Sequence, residues 1–151
     1  MFNIEIPTSD AHAREIDARN GNTFWRDVIR KEMYNVGVAF KILEDDEPLP
    51  VGYTRSSGHL VFDVKMDFTR KARWVKDGHK HAAPDAASYA GVVSRESIRI
   101  ALTYAALMDL EVKTADIRNA YLQAPTSEKH YVICGSEFGL EHQGKRALIT
   151  R

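Results

Sequence analysis

LVFDVKMDFTRKARWV (Leu60–Val75) is the stretch whose reading decides the fold. Two short, partly alternating runs, Leu60 to Val64 and Ala72 to Val75, flank the polar segment Met66-Asp67-Phe68-Thr69-Arg70. A period of two on either side of a polar break predicts a β-hairpin. The same window is the most basic part of the chain. Between Val61 and His81 stand 6 basic and 3 acidic residues, in a protein that carries 21 of each sign overall. The bases are Lys65, Arg70, Lys71, Arg73, Lys76 and Lys80. A short basic stretch of this kind is either a solvated surface or an attractor of a phosphate-bearing partner. Asp63 and Asp67 flank Lys65 and are expected to form local ion pairs.

Outward from the hairpin, the acidic run Glu44-Asp45-Asp46-Glu47 leads to Pro48 and Pro50. Self-repulsion and the proline rings predict an exposed connection there. Before it, Trp25, Val28, Ile29, Met33 and Val36 follow helical spacing from Phe24, with Asn22 or Thr23 as the N-cap and Gly37 as the stop. The first 20 residues have no sustained period. Their helix-compatible stretch ends at Asn20-Gly21, so residues 1–20 read as an amino-terminal arm. Trp25 and Trp74 read as core or hinge packing rather than as base-stacking platforms.

Beyond the irregular stretch HKHAAPDAAS, the segment SRESIRIALTYAALMDL places Ile98, Ala101, Leu102, Ala105, Ala106 and Met108 at helical spacing. Ser94 is its candidate N-cap, and Glu96 suits the positive end of the helix. Glu111 to Ile117 then reads as a strand, Asn119 to Leu122 as a short turn or helix, and His130 to Cys134 as a strand. The carboxyl-terminal KRALITR looks like an element cut short. The element order is α, ββ, α, β, short α, β, an α+β chain of mixed helices and short antiparallel strands.

Composition bounds the rest. Of 151 residues, 44% are hydrophobic and 28% charged, the balance of a globular chain that folds around a core. No apolar run approaches the roughly 18 to 20 residues of a membrane helix, and MFNIEIPTSD lacks the order of a secretory signal. The chain therefore reads as intracellular, not secreted, and without a membrane partner. The only cysteine, Cys134, excludes an intrachain disulfide and a Cys-rich zinc site. His79 and His81 share strand spacing but have no paired motif, and read as ordinary polar histidines.

In TADIRNAYL (114–122), a strand ending at Asp116 and turning at Asn119 puts a carboxylate at a sheet edge with an aromatic ring five residues on. Carboxylate oxygen suits a hard cation such as Mg²⁺, whose use in phosphoryl transfer is to neutralise charge and align oxygens. The other reading is that Asp116 caps the next helix.

Four segments occur together in a particular order: NGNTFWRDVIRKEM (20–33), HLVFDVKMDFTRKARWVKDGH (59–79), YAGVVSRESIRIALTYAALMDLEV (89–112) and TADIRNAYLQAPTSEKHYVICGSEFG (114–139). RALITR follows at the end. With its KAR-x-V element, VVSRES-x-RIA helix and D-x-x-x-AYL motif, the chain resembles the amino-terminal part of a copia-type retrotransposon reverse transcriptase. The resemblance implies the fingers and an incomplete palm of a right-hand polymerase fold over residues 21–151, truncated at the carboxyl terminus. It implies that Asp116 is the first catalytic aspartate of a site for two Mg²⁺ ions, and that the Ile117 carbonyl is a backbone ligand of the second ion. Tyr121 would lie under the sugar of the incoming nucleotide and leave no room for a 2′-hydroxyl. Arg118, Asn119 and Ala120 would offer backbone NH groups to the triphosphate. In the hairpin, Arg73 and Lys71 are the expected triphosphate contacts and Lys65 a further candidate, because guanidinium binds two phosphate oxygens while ammonium acts as a point charge. A slip of one residue would bring Arg70 or Lys71 into the place of Arg73.

The implied partners are an RNA or DNA template with its primer, deoxynucleoside triphosphates and the remainder of a polyprotein. The implied location is cytoplasmic particles with possible nuclear access. One departure matters for activity. The family's Tyr-x-Asp-Asp hairpin is absent, since Tyr131 is followed by Val132, Ile133 and Cys134. Asp116 alone cannot hold two ions, so the chain is expected to be inactive by itself, with a sheet edge left unprotected. The alternative is a non-catalytic remnant that binds nucleic acid or partner chains weakly.

Overall fold

A computed structural model describes residues 4–78, 91–117 and 119–151. The chain is of α+β type and divides into two compact units, one of Met1–Lys80 with Asn119–Arg151 and the other of His81–Arg118. His79, Lys80, His81, Arg118 and the expected irregular stretch to residue 90 lie outside the described residues.

In the first unit, α1 (Asp10–Arg19) and α2 (Phe24–Val36) form a short helical pair. Ser9 caps α1 by accepting from the His12 NH at 3.1 Å. The expected free arm is instead this helix. Ala13 and Ile16 enter one core with Trp25, Ile29, Leu60 and Ala72. The N-cap of α2 falls on one of the two expected residues. Thr23 holds the N-cap position without a side-chain cap bond. The fully buried Asp17 carboxylate does that work from α1, accepting from the NH of Trp25 at 3.0 Å and of Arg26 at 2.9 Å. Two of the donors that every helix start leaves unmatched are thereby satisfied, and negative charge stands at the positive end of the helix. The Arg26 guanidinium lies 3.7 Å from the same carboxylate.

The expected hairpin is present as β3 (Gly58–Val64) and β4 (Arg70–Lys76), paired antiparallel with Val61 opposite Arg73 and Val64 opposite Arg70. The helical pair covers one face of it. Leu60 and Ala72 are buried, and Phe62 meets Trp25 edge to face at 5.6 Å between centroids. Glu32 of α2 accepts from the Trp74 backbone NH at 3.0 Å, so the outer edge of β4 is occupied at that point.

The remaining strands, β1 (Phe40–Ile42), β2 (Thr54–Arg55), β5 (His130–Ile133) and β6 (Arg146–Ile149), make a four-stranded sheet in the order β1-β6-β5-β2. The pairings are antiparallel except β2 with β5, which is parallel. The segment that looked cut short is thus β6, between two neighbours. Val132, Cys134 and Ala147 form the core of this sheet. Trp74 packs against both cores and meets Phe40 edge to face at 5.0 Å. Its indole lies so close to β3 that a Cβ on Gly58 would stand 2.2 Å from it, which explains the glycine.

In the second unit, α3 (Arg95–Leu107) starts as expected, with Ser94 Oγ accepting from the Ser97 NH at 3.0 Å and Glu96 in the first turn. It ends with Asp109 at φ 51° and the Leu110 NH on the Ala105 carbonyl at 2.9 Å, a left-handed C-terminal cap. The expected strand from Glu111 to Ile117 does not form. Those residues carry no regular structure and pair with no strand among the described residues. No helix among the described residues is long and apolar enough to cross a membrane.

Asp17→Ala would strand one buried and one part-buried NH group at the start of α2. The expected loss is about 2 to 3 kcal/mol, with about half of it recovered in Asp17→Asn, which keeps one acceptor. Urea unfolding of the three proteins checks this order.

Candidate nucleotide-binding hairpin

The register of the hairpin sorts its basic residues by face. Side chains alternate along a strand, and directly paired residues share a face. Leu60, Phe62 and Val64 therefore lie with Trp74, Ala72 and Arg70 toward the helices. Val61 and Asp63 lie with Arg73 and Lys71 on the outer face. Arg73 is exposed and Lys71 half-buried. Arg70 points the other way, with its guanidinium 4.7 Å from the Phe24 ring centroid and 5.5 Å from that of Trp25. Lys71 and Arg73 are thus brought together, and Arg70 is held apart from them.

The turn is tight. The Phe68 NH donates to the Lys65 carbonyl at 2.9 Å and the Lys65 NH to that of Thr69 at 3.0 Å, a three-residue loop closing on a left-handed residue. That residue is Phe68, at φ 62°, where glycine is the usual occupant. Lys65, Met66 and Phe68 are all exposed there. The neighbouring carboxylates bond to backbone. Asp63 accepts from the Val64 NH at 2.8 Å and Asp67 from the Thr69 NH at 3.0 Å. The Thr69 backbone NH, followed by its side chain, holds the Asp67 carboxyl below its ordinary value.

Compared with protein-family models, curated proteins and solved structures, the chain matches none.

The other expected site residues fall in both units. Asp116 and Ile117 lie in the second, exposed and without regular structure. Arg118 lies outside the described residues. Asn119, Ala120 and Tyr121 belong to the first unit, where residues Ala120–Gln123 make a single 3₁₀ turn. Asn119 takes φ 52° and its side-chain amide donates to the Asn35 carbonyl of α2 at 3.5 Å. Arg151 donates to the Leu122 carbonyl at 3.2 Å, so the turn is tied to the chain on both sides. Tyr121 is 91% exposed. Asp116 and the Ile117 carbonyl offer oxygen donors of the kind Mg²⁺ prefers. Among the described residues no group of three or more His, Cys, Asp or Glu converges to complete such a site.

Two features were not read from the sequence. Asp17 gave no signal because its two NH partners lie eight and nine residues away. His130, 9% exposed, is held by Thr54 at 3.0 Å and by Glu128 at 2.9 Å, and Glu128 in turn lies 3.7 Å from Lys76 at the end of β4. Cys134 is buried, and burial with the nearby Glu137 charge pushes its thiol up to about 11. It is a packed thiol and not a thiolate ligand.

Because the folded-state value of Asp67 is depressed, its contribution to the turn is present at neutral pH and is lost as pH falls through that value. The Thr69 amide resonance is expected to move with acid below about pH 4, and to stop doing so in Asp67→Ala. A Thr69 amide indifferent to acid in the parent protein would contradict this assignment.

Proposed function

We propose that the chain contributes the triphosphate-binding fingers and the front of the palm to an RNA-directed DNA polymerase of copia type, with the right-hand fold that this implies. The observation that supports the reading best is the hairpin register. It puts Arg73 and Lys71, the two residues expected to meet the triphosphate, on one open face beside each other. A guanidinium and an ammonium so placed suit the doubly bonded and point-charge contacts that phosphate oxygens accept.

In this reading Lys71 and Arg73 hold the phosphates, with Lys65 at the turn as a further contact. Tyr121 packs under the sugar and excludes a 2′-hydroxyl by steric contact. Backbone NH groups of Asn119 and Ala120 would meet the triphosphate oxygens. Asp116 and the Ile117 carbonyl would hold Mg²⁺, whose chemistry when bound would be to neutralise phosphate charge and align oxygens. The template with its primer and the remainder of the polyprotein are the partners. Ile100, Leu102, Tyr104 and Leu107 on α3 are exposed, an apolar surface of the kind that partners cover. Without the missing carboxylates the isolated chain does not polymerise.

A second reading is favoured by the lack, among the described residues, of carboxylates converging on Asp116: a remnant that binds nucleic acid weakly and catalyses nothing. Primer extension on an RNA template separates the two. The chain is tested alone and fused to the polypeptide encoded downstream of it at its locus. The fused protein is expected to extend the primer, to lose extension with Asp116→Ala and to admit ribonucleotides with Tyr121→Ala. Arg73→Ala is expected to raise the KM for deoxynucleotides about 10- to 100-fold, the equivalent of one charge-assisted contact. Extension by the isolated chain, or by the fused Asp116→Ala protein, would overturn the proposal. Failure of both proteins to extend, with salt-dependent binding of primer and template retained, would favour the remnant.

A further inference from the structure

On the inner side of the hairpin, a cavity of about 320 Å³ lies between the segment around Glu5, α1 and the start of β4. Ile4, Ile16 and Trp25 give it apolar walls, and Arg19 and Arg70 border it. The volume is at the small end of the range for ligand pockets.

Arg70 differs from the arginines of the two helices in having a buried donor without an acceptor. The four arginines of α1 and α2 each have a carboxylate within 4.0 Å: Arg14 has Asp10, Arg19 has Glu5, Arg26 has Asp17 and Arg30 has Asp27. Among the described residues Arg70 has no such partner, and its Nε is buried with no hydrogen-bond acceptor. The Phe24 and Trp25 rings hold the guanidinium in place, at 4.7 and 5.5 Å. Aromatic faces compensate charge but leave the planar edge of NH donors unused. Such an edge, fixed in orientation and partly removed from water, matches the paired oxygens of an anion. Arg19 and Glu5, already bonded to each other, are neutral as a pair, so Arg70 leaves the cavity with one unmatched positive charge.

We infer that this cavity is a binding site for the oxyanion of a small molecule, a phosphate or a carboxylate, received by the Arg70 guanidinium beside Arg19. A bound oxyanion would tie the start of β4 to α1, and so fix the turn end of the hairpin from the face opposite Lys71 and Arg73. The site is independent of the polymerase reading, because its residues and those of the outer face do not overlap.

The test follows the Arg70 Nε–Hε resonance while inorganic phosphate, and separately acetate, is added to the full chain. Sodium chloride matched in ionic strength is the control. A saturable shift with either oxyanion and none with chloride is expected, and the two arms show whether phosphate or carboxylate is preferred. Thermal unfolding should rise with the same anion in the parent and in Arg73→Met. It should not rise in Arg70→Met, which keeps the apolar stem, and Arg70→Lys should bind about tenfold more weakly for want of the paired donors. Should Arg70→Met not fold, the resonance titration of the parent and of Arg73→Met decides alone. No saturable shift, an equal shift with chloride, or loss of the effect in Arg73→Met would overturn the inference.

Discussion

The buried carboxylate of Asp17 is the point on which the first unit depends. It leaves α1, meets the start of α2 and takes two backbone donors there, so the two helices are locked at one distance and one angle. A buried anion is costly unless its oxygens are matched, and here NH groups and the nearby Arg26 do the matching. Everything that α2 supports follows from this contact. Trp25 begins at the cap and reaches Phe62 of the hairpin, while Ile29 closes the same core and Glu32 takes the free NH of β4.

With the inner face of the hairpin fixed, the outer face has no freedom left. A strand that buries Ala72 and Trp74 against helices must turn Lys71 and Arg73 outward, because a slip of one residue would exchange the two sets. The nucleotide reading and the oxyanion cavity therefore rest on the same register, one on each side of it. Trp74 carries the constraint further, since it packs on both cores and couples the hairpin to the four-stranded sheet.

What the sequence revealed and what it concealed divide along physical lines. Strong periodicity with local caps was legible: α2 from Phe24, α3 with Ser94, and the hairpin around Leu60 and Ala72. α1 was read as an arm because it contributes only Ala13, Ile16 and Asp17 to the interior, and a buried aspartate breaks the apolar pattern that would betray a packed face. β1 and β2, of three and two residues, are too short to show a period. Glu111 to Ile117 reads as a strand, yet no strand among the described residues pairs with it. Of the candidate site, the basic hairpin was legible down to the choice between Arg70 and Arg73, which tertiary packing decides. The cavity behind it was not, since residues 4, 19 and 70 meet only in the folded chain.

The register is tested most directly by nuclear Overhauser contacts to the Trp25 indole. The account predicts cross-peaks from that ring to the Phe62 ring and to the Arg70 side chain, and none to Lys71 or Arg73. Contacts from Arg73 to the Trp25 ring, with Arg70 free of it, would mean that the hairpin presents its other face and would contradict the account.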